Sequence, residues 1–219
     1  MISFYGATKV YPTGTVGLEN GTFRIRKNEF AFLVGSSGAG KSTVLKLIYM
    51  EEFPTEGRVV VGTYASDRLK SGHVPLLRRK VGVVFQDFRL LLDRTAFDNV
   101  AIALRVTRSS NKRMKQRTLT SLARVGLVHK SKEKAWQLSG GEQQRLAIAR
   151  AIANEPMVVL ADEPTGNLDP ETSVGIFQLL RDIHLAGTAV LVATHDVDMV
   201  KRFPGRVIHI DAGRLSGDI

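Results

Sequence analysis

Residues 29–48 read EFAFLVGSSGAGKSTVLKLI, and this stretch decides the fold. Its opening, Glu29–Gly35, is short and nearly continuous in apolar residues, the pattern of a strand buried on both faces. The next nine residues, Gly35, Ser36, Ser37, Gly38, Ala39, Gly40, Lys41, Ser42 and Thr43, fit G-x-x-x-x-G-K-[ST] and open a predicted helix. The glycines let the loop curl so that backbone N–H groups converge on phosphate oxygens. The helix that follows adds the positive end of its dipole. Lys41 offers a point charge to β and γ phosphates, and Ser42 a hydroxyl to Mg²⁺. A glycine-rich turn that merely contains a lysine is the bland alternative, and the strand-loop-helix context argues against it.

Outward from this stretch, Val81–Phe85, Met157–Ala161 and Ala189–Ala193 repeat the same apolar texture. Helix-like segments separate them, which predicts a parallel sheet covered by helices. Ile2–Tyr5, Thr22–Ile25 and Arg58–Val61 read as antiparallel strands around Gly-rich turns. RVIHIDAGRL near the end reads as a hairpin turning at Asp211-Ala212-Gly213. Between Phe88 and Pro156 the texture changes. Ser110 can cap a helix running to about Val125, with Met114, Leu119, Leu122 and Val125 on its apolar side and Gly126 ending it. Ser139 to Asn154 is a second helix. The expectation is an α/β core with a basic helical lobe inserted at about 88–155.

Composition agrees with that plan. With 219 residues, 43% hydrophobic and 24% charged, the chain can bury one sizeable core. Disorder, collagen and coiled-coil rods are excluded. The longest wholly apolar runs, such as Val100–Leu104, are five residues, where a bilayer-spanning helix needs roughly 20. The start, MISFYGATKVY, lacks the basic and apolar regions of a signal peptide. The absence of Cys excludes disulfides, thiolate metal sites and a cysteine nucleophile. The formal charge is +10, and Asp87–Arg150 alone holds fourteen basic residues against five acidic ones. A solvated surface, an anionic membrane and nucleic acid all fit such a stretch. Charge alone does not choose among them.

Two further motifs carry chemistry. Met157–Glu163 places two carboxylates directly after a buried strand. Asp162 suits Mg²⁺, because a hard cation prefers oxygen ligands, and Glu163 is placed to orient or deprotonate a water. An acidic pair ending a strand is usually plain surface; downstream of a phosphate loop it reads as a site. Leu138-Ser139-Gly140-Gly141-Glu142-Gln143 makes another helix N-terminus able to meet a phosphate. One nucleotide has little use for two cradles in one chain, so the second is expected to serve another protomer. A plain N-capped helix is the competing reading.

In this order and spacing, the phosphate loop, LSGGEQQR (138–145) and LADEPTGNLD (160–169) resemble the ATPase subunit of an ABC system, across the whole chain. The resemblance implies an α/β P-loop NTPase fold with a RecA-like core, an N-terminal antiparallel β subdomain and an inserted helical subdomain. The core would be 1–87 and 156–219, and the insertion 88–155. ATP and Mg²⁺ are implied, with Lys41, Glu163 and His195 in catalysis and Ser42, Gln86 and Asp162 near the metal. Tyr11 resembles the aromatic that stacks on adenine, and Gln86 the glutamine that senses Mg²⁺ and the γ-phosphate. Asn167 and Asp169, with Ser139 and Gly141, resemble the dimer interface, and Ser139, Gly140 and Gly141 the second cradle that meets the partner's nucleotide. His195 resembles the switch histidine; His73, His129, His184 and His209 match nothing.

Residues 74–101, VPLLRRKVGVVFQDFRLLLDRTAFDNVA, further resemble the FtsE family of bacterial cell-division ATPases. That likeness implies an ATP-bound homodimer and an integral membrane partner of the FtsX kind. It implies residence on the cytoplasmic face of the inner membrane at the division site, with no nucleic acid. An ATPase of a lipoprotein or macrolide exporter is the alternative. A nucleic-acid-handling ABC ATPase is a third class, but those proteins usually add a coiled coil, zinc-binding cysteines or a second ATPase unit.

Overall fold

A computed structural model describes residues 1–106 and 110–218. In chain order, β1 (Ile2–Val10) and β2 (Val16–Ile25) lead into β3 (Phe30–Val34) and α1 (Lys41–Ile48). Next come β4 (Glu56–Val61), β5 (Tyr64–Ala65), α2 (Val74–Arg78) and β6 (Val81–Val84). Three helices follow: α3 (Ala96–Arg105), α4 (Asn111–Arg124) and α5 (Gly140–Ile152). The chain ends with β7 (Val158–Asp162), α6 (Pro170–Leu185), β8 (Ala189–Thr194), α7 (Val197–Arg202), β9 (Arg206–Asp211) and β10 (Arg214–Asp218).

The four apolar runs of the sequence become β3, β6, β7 and β8, neighbours in a six-stranded sheet of order β10-β9-β3-β8-β7-β6. All of its pairings are parallel except the closing hairpin, β9 with β10. That hairpin turns at Ala212 and Gly213, both in the left-handed region, with Asp211 still paired to Arg214. The N-terminal strands form a second, antiparallel sheet of order β2-β1-β4-β5. β1 and β2 run longer than their apolar residues alone suggest, because their outer halves pair through register shifts beyond Tyr5.

The period-two alternation of a strand splits each apolar run between two cores. Phe30, Phe32 and Val34 share a cluster with the helices α3 to α6. Ala31 and Leu33, on the opposite face, pack with α1 and the antiparallel sheet. Fully burying a side chain such as Phe32 contributes about 1.5–3 kcal/mol.

The inserted helices do not have a core of their own. Leu104, Leu122, Leu146 and Ile152 lie in the same cluster as Phe32, and α5 packs directly on β6 and α6. Helix α4 forms where the Ser110 cap predicts, with Leu122 and Val125 buried and Gly126 at φ 76° ending it. Arg108, counted in the basic stretch, lies outside the described residues. Helix α3 begins at Thr95, whose hydroxyl accepts the Asp98 N–H. Behind it the fully buried Asn99 amide pairs with both the N–H and the carbonyl of Leu91, fixing the approach to the helix.

Candidate nucleotide-binding site

Because β3, β8, β7 and β6 are adjacent and parallel, their C-terminal ends leave the sheet along one edge. In open α/β sheets this edge is where ligands bind. Each strand is followed there by one of the expected motifs: the 35–43 loop after β3, Gln86 shortly after β6, Asp162 and Glu163 at the end of β7, and His195 after β8.

The loop needs its glycines for contact as well as for torsion. Gly40 caps α1 at φ 109°, and a Cβ there would lie 2.3 Å from the Gly17 carbonyl oxygen. At Gly35 a Cβ would lie 2.2 Å from the Ile210 oxygen. Ser36, Ser37 and Gly38 are exposed, whereas Ala39 is buried and its carbonyl accepts the Gly213 N–H at 2.9 Å. Lys41 is only 5% exposed. Its ammonium donates to the Gly35 and Ser36 carbonyls at 2.8 and 3.0 Å and lies 3.1 Å from Glu163 Oε1. Thr43 bonds the Tyr11 hydroxyl at 3.1 Å, and the Lys9 ammonium sits 5.2 Å from the centre of the Tyr11 ring. Tyr11, just past the end of β1, is thus fixed beside the loop.

Glu163 occupies a left-handed φ of 44°, costly for a residue with a side chain. The same Oε1 that meets Lys41 is 3.0 Å from His195 Nδ1. A carboxylate only accepts, so His195 donates through Nδ1 and keeps Nε2 for another partner. Asp162 is bonded by the Ser42 side chain, while burial pushes its carboxyl above the usual range. Its Oδ1 is buried and has no hydrogen-bond partner. An orphaned buried carboxylate oxygen beside a hydroxyl is a donor set that suits a hard cation. Among the described residues no three His, Asp or Glu side chains form a complete metal cage. Gln86 is exposed and lies against the 163–167 turn: Asn167 Nδ2 reaches its carbonyl at 3.5 Å.

The helix end expected to form a second cradle is a separate surface. Ser139 caps α5 in a reciprocal box with Glu142, at 2.9 and 3.3 Å, and Lys130 holds Glu142 at 2.6 Å. Ser139 and Gly140 are exposed, and Gly141 abuts Thr172 on α6. Asp169 caps α6 through the Thr172 N–H at 2.9 Å, and Leu168 approaches Gly140. The structure therefore gathers Ser139, Gly140, Gly141 and Asp169 on adjoining helix ends. Lys41, Glu163 and His195, by contrast, find their partners among one another and the loop carbonyls.

Two residues of α5 escaped the sequence reading. Gln144 is fully buried, and its Nε2 donates to the Pro164 carbonyl at 2.5 Å. Arg150 donates to the carbonyls of Phe88, at 2.6 Å, and Arg89. Both of those residues are left-handed, at φ 57° and 47°. Gln144 lies within the LSGGEQQR run, but its partner is a backbone carbonyl, which no letter of a sequence marks. A cleft of about 610 Å³ opens beside Arg150, lined by Tyr49, Arg78, Phe85, Arg89 and Ala103 among others.

A phosphate loop, a carboxylate pair and a histidine on one edge of a parallel sheet, with a second helix N-terminus displayed elsewhere, define a nucleoside-triphosphatase of the cassette type. The chain belongs to the ABC transporter family, whose sequence pattern matches residues 18–166. It is 46% identical over 219 residues to the cell division ATP-binding protein FtsE of Escherichia coli (strain K12), covering 100% of this chain and 99% of that protein. Its identity to the FtsE protein of Mycobacterium tuberculosis is 47% over 219 residues, covering 100% and 95%. A bacterial ABC transporter cassette solved as a dimer superposes with a TM-score of 0.90 at 38% identity, covering 100% of this chain and 98% of that one. A dimeric cassette in a post-hydrolysis state, bound to ADP and phosphate, matches with a TM-score of 0.89 at 37% identity, covering 100% and 98%.

Proposed function

We propose that this chain binds and hydrolyses ATP, dimerises around it, and drives a conformational change in an FtsX-like inner-membrane partner during cell division. The observation that carries the reading is the contact of one Glu163 oxygen with both Lys41 and His195, directly beside a glycine-shaped loop. ATP would lie between Gly35–Thr43 of one protomer and Ser139–Gly141 of the other, with Tyr11 against the base. Neither cradle alone surrounds the γ-phosphate, so ATP stabilises a closed state that a single protomer cannot form.

A phosphate entering the loop competes with Glu163 for the Lys41 ammonium. Glu163, released from that cation, accepts the proton of the attacking water, while Lys41, and His195 in the form that carries a proton on Nε2 as well as Nδ1, stabilise charge on the transferring group. Ser42 and Asp162, with Gln86 beside them, would hold Mg²⁺, which when bound draws charge from the β and γ oxygens. Loss of the γ-phosphate removes the bridging contacts and opens the dimer. We also read 88–155 as the lobe that carries the second cradle, and 1–87 with 156–219 as the nucleotide-binding core.

The membrane partner would dock beside Gln86 and residues 87–101, where the cleft near Arg150 supplies a concave surface. Among the described residues no helix is long and apolar enough to cross a membrane. Association with the cytoplasmic face of the inner membrane would therefore run through that partner, with the basic lobe near anionic headgroups. The cell-division names of the relatives favour this reading over an exporter ATPase, whose nucleotide chemistry would be the same. Glu163→Gln tests it. The amide keeps the size but loses the proton-accepting charge, so phosphate release should fall by about 10²–10⁴-fold. ATP should still bind, and an ATP-bound dimer should accumulate on size-exclusion chromatography. Unchanged turnover by this variant would remove Glu163 from its role.

A further inference from the structure

We propose that Gln144 is a positioning residue for Glu163, tying helix α5 to the turn that carries this chain's own catalytic carboxylate. The inference rests on the ATPase reading above and extends it to communication between the two composite sites. Helix α5 begins at Ser139, the cap offered to the partner protomer's nucleotide, and Gln144 lies a little over one turn inside it. Its side chain is fully buried, and its Nε2 donates to the Pro164 carbonyl at 2.5 Å. Only the NH₂ end of the amide can face a carbonyl, which fixes the orientation. The opposite end, Oε1, is then buried with no hydrogen-bond partner. An apolar side chain of equal size would fill this space without leaving an oxygen unpaired. Packing alone therefore does not explain an amide here, whereas a grip on Pro164 does.

That grip falls where the backbone needs one. Glu163 sits at φ 44°, a conformation that persists only when its surroundings hold it. On the core side its N–H donates to Ala193 O of β8 at 2.9 Å, and within the turn its carbonyl accepts the Gly166 N–H at 3.2 Å. On the lobe side Gln144 holds the next carbonyl along. The turn is clamped between sheet and α5, so a shift of α5 is passed to a point one residue from the carboxylate. ATP seated at Ser139–Gly141 of this chain belongs to the partner's loop, yet the helix it orders ends its influence at this chain's own Glu163. Each site would thus be aligned by occupation of the other.

Gln144→Leu removes the donor and nearly preserves the volume, and Gln144→Met does the same with a more adaptable side chain. In steady-state hydrolysis with Mg²⁺ and ATP, kcat should fall tenfold or more while KM changes less than twofold. Combined with Glu163→Gln, either variant should still form the ATP-bound dimer, because both cradles are intact. A kcat within twofold of wild type in a folded variant overturns the proposal. So does a loss of kcat matched by an equal loss of ATP affinity or by collapse of the melting temperature, and so does failure of both variants to fold, since each makes the residue structural. A wild-type protein that releases no phosphate, or a Glu163→Gln protein that turns over normally, would instead bring down the ATPase reading itself.

Discussion

The two proposed phosphate cradles of this chain are built to opposite standards. The one at 35–43 is locked from within: Lys41 is buried and triply held, two glycines admit no side chain, and Tyr11 is pinned to Thr43. The one at 139–141 is an exposed helix end whose order comes from a local capping box. The first presents the Lys41 ammonium and, beside it, the Glu163 carboxylate to one ligand. The second presents little more than backbone N–H groups and a dipole, which bind a phosphate weakly unless other contacts bring it there. Pre-assembly on one side and a bare helix end on the other is what a shared site between protomers requires.

The largest effect that would break this contrast is expected at Lys41. Lys41→Ala removes the ammonium that contacts Glu163 and faces the phosphates, and a charged hydrogen bond contributes about 1.5–3 kcal/mol. Binding of ATP, measured by calorimetry on the isolated chain, should weaken by roughly 10- to 100-fold. An unchanged dissociation constant would count against the loop assignment. A smaller effect is expected at the second cradle. Glu142→Ala opens the capping box and leaves Lys130 with Glu133 alone, and loss of such a cap costs about 1 kcal/mol. The melting temperature should drop by about 2–4 °C, while ATP affinity of the single chain stays unchanged. The pH dependence has a defined sign. The Lys130 ammonium holds the Glu142 carboxyl below its ordinary value. The cap's contribution is therefore present above the unfolded glutamate pKa, near pH 4, and lost as the pH falls through the lower folded value. The variant should melt closer to wild type in acid than at neutrality, and a difference independent of pH would contradict the box.

Much of this was legible in the sequence for a physical reason. Strands buried on both faces must be continuously apolar, so β3, β6, β7 and β8 announced themselves, and parallel pairing then placed every motif that follows them at one edge. The glycine pattern at 35–40 was equally plain, because no other residue fits beside the Gly17 and Ile210 carbonyls. Helix α3 was not legible as a helix. Its start is signalled only by the Thr95-x-x-Asp98 capping pattern, and the Asn99 amide that fixes the approach by reaching back to Leu91 is a tertiary contact. The outer halves of β1 and β2 were likewise hidden, since residues such as Thr8 and Val10 are held by ladder partners and not by burial alone. Gln144 and Arg150 stayed silent because each acts on backbone carbonyls made available only by left-handed residues far along the chain.

The central claim is that one nucleotide belongs to two chains, and mixing inactive variants tests it most directly. Ser139→Arg puts a bulky side chain at the second cradle and leaves the protomer's own loop and Tyr11 untouched. Lys41→Ala damages the first cradle and leaves Ser139 untouched. In a purified heterodimer of the two, both lesions fall in one composite site, and the other pairs an intact Lys41 with an intact Ser139. Closure on ATP, followed by cross-linking or fluorescence between protomers, should return at that intact site although each homodimer fails to close. Hydrolysis should recover less, because the proposed grip of Gln144 on Pro164 would couple the two sites. No ATP-driven closure in the heterodimer, under conditions where wild-type dimers close, would contradict a site shared between subunits.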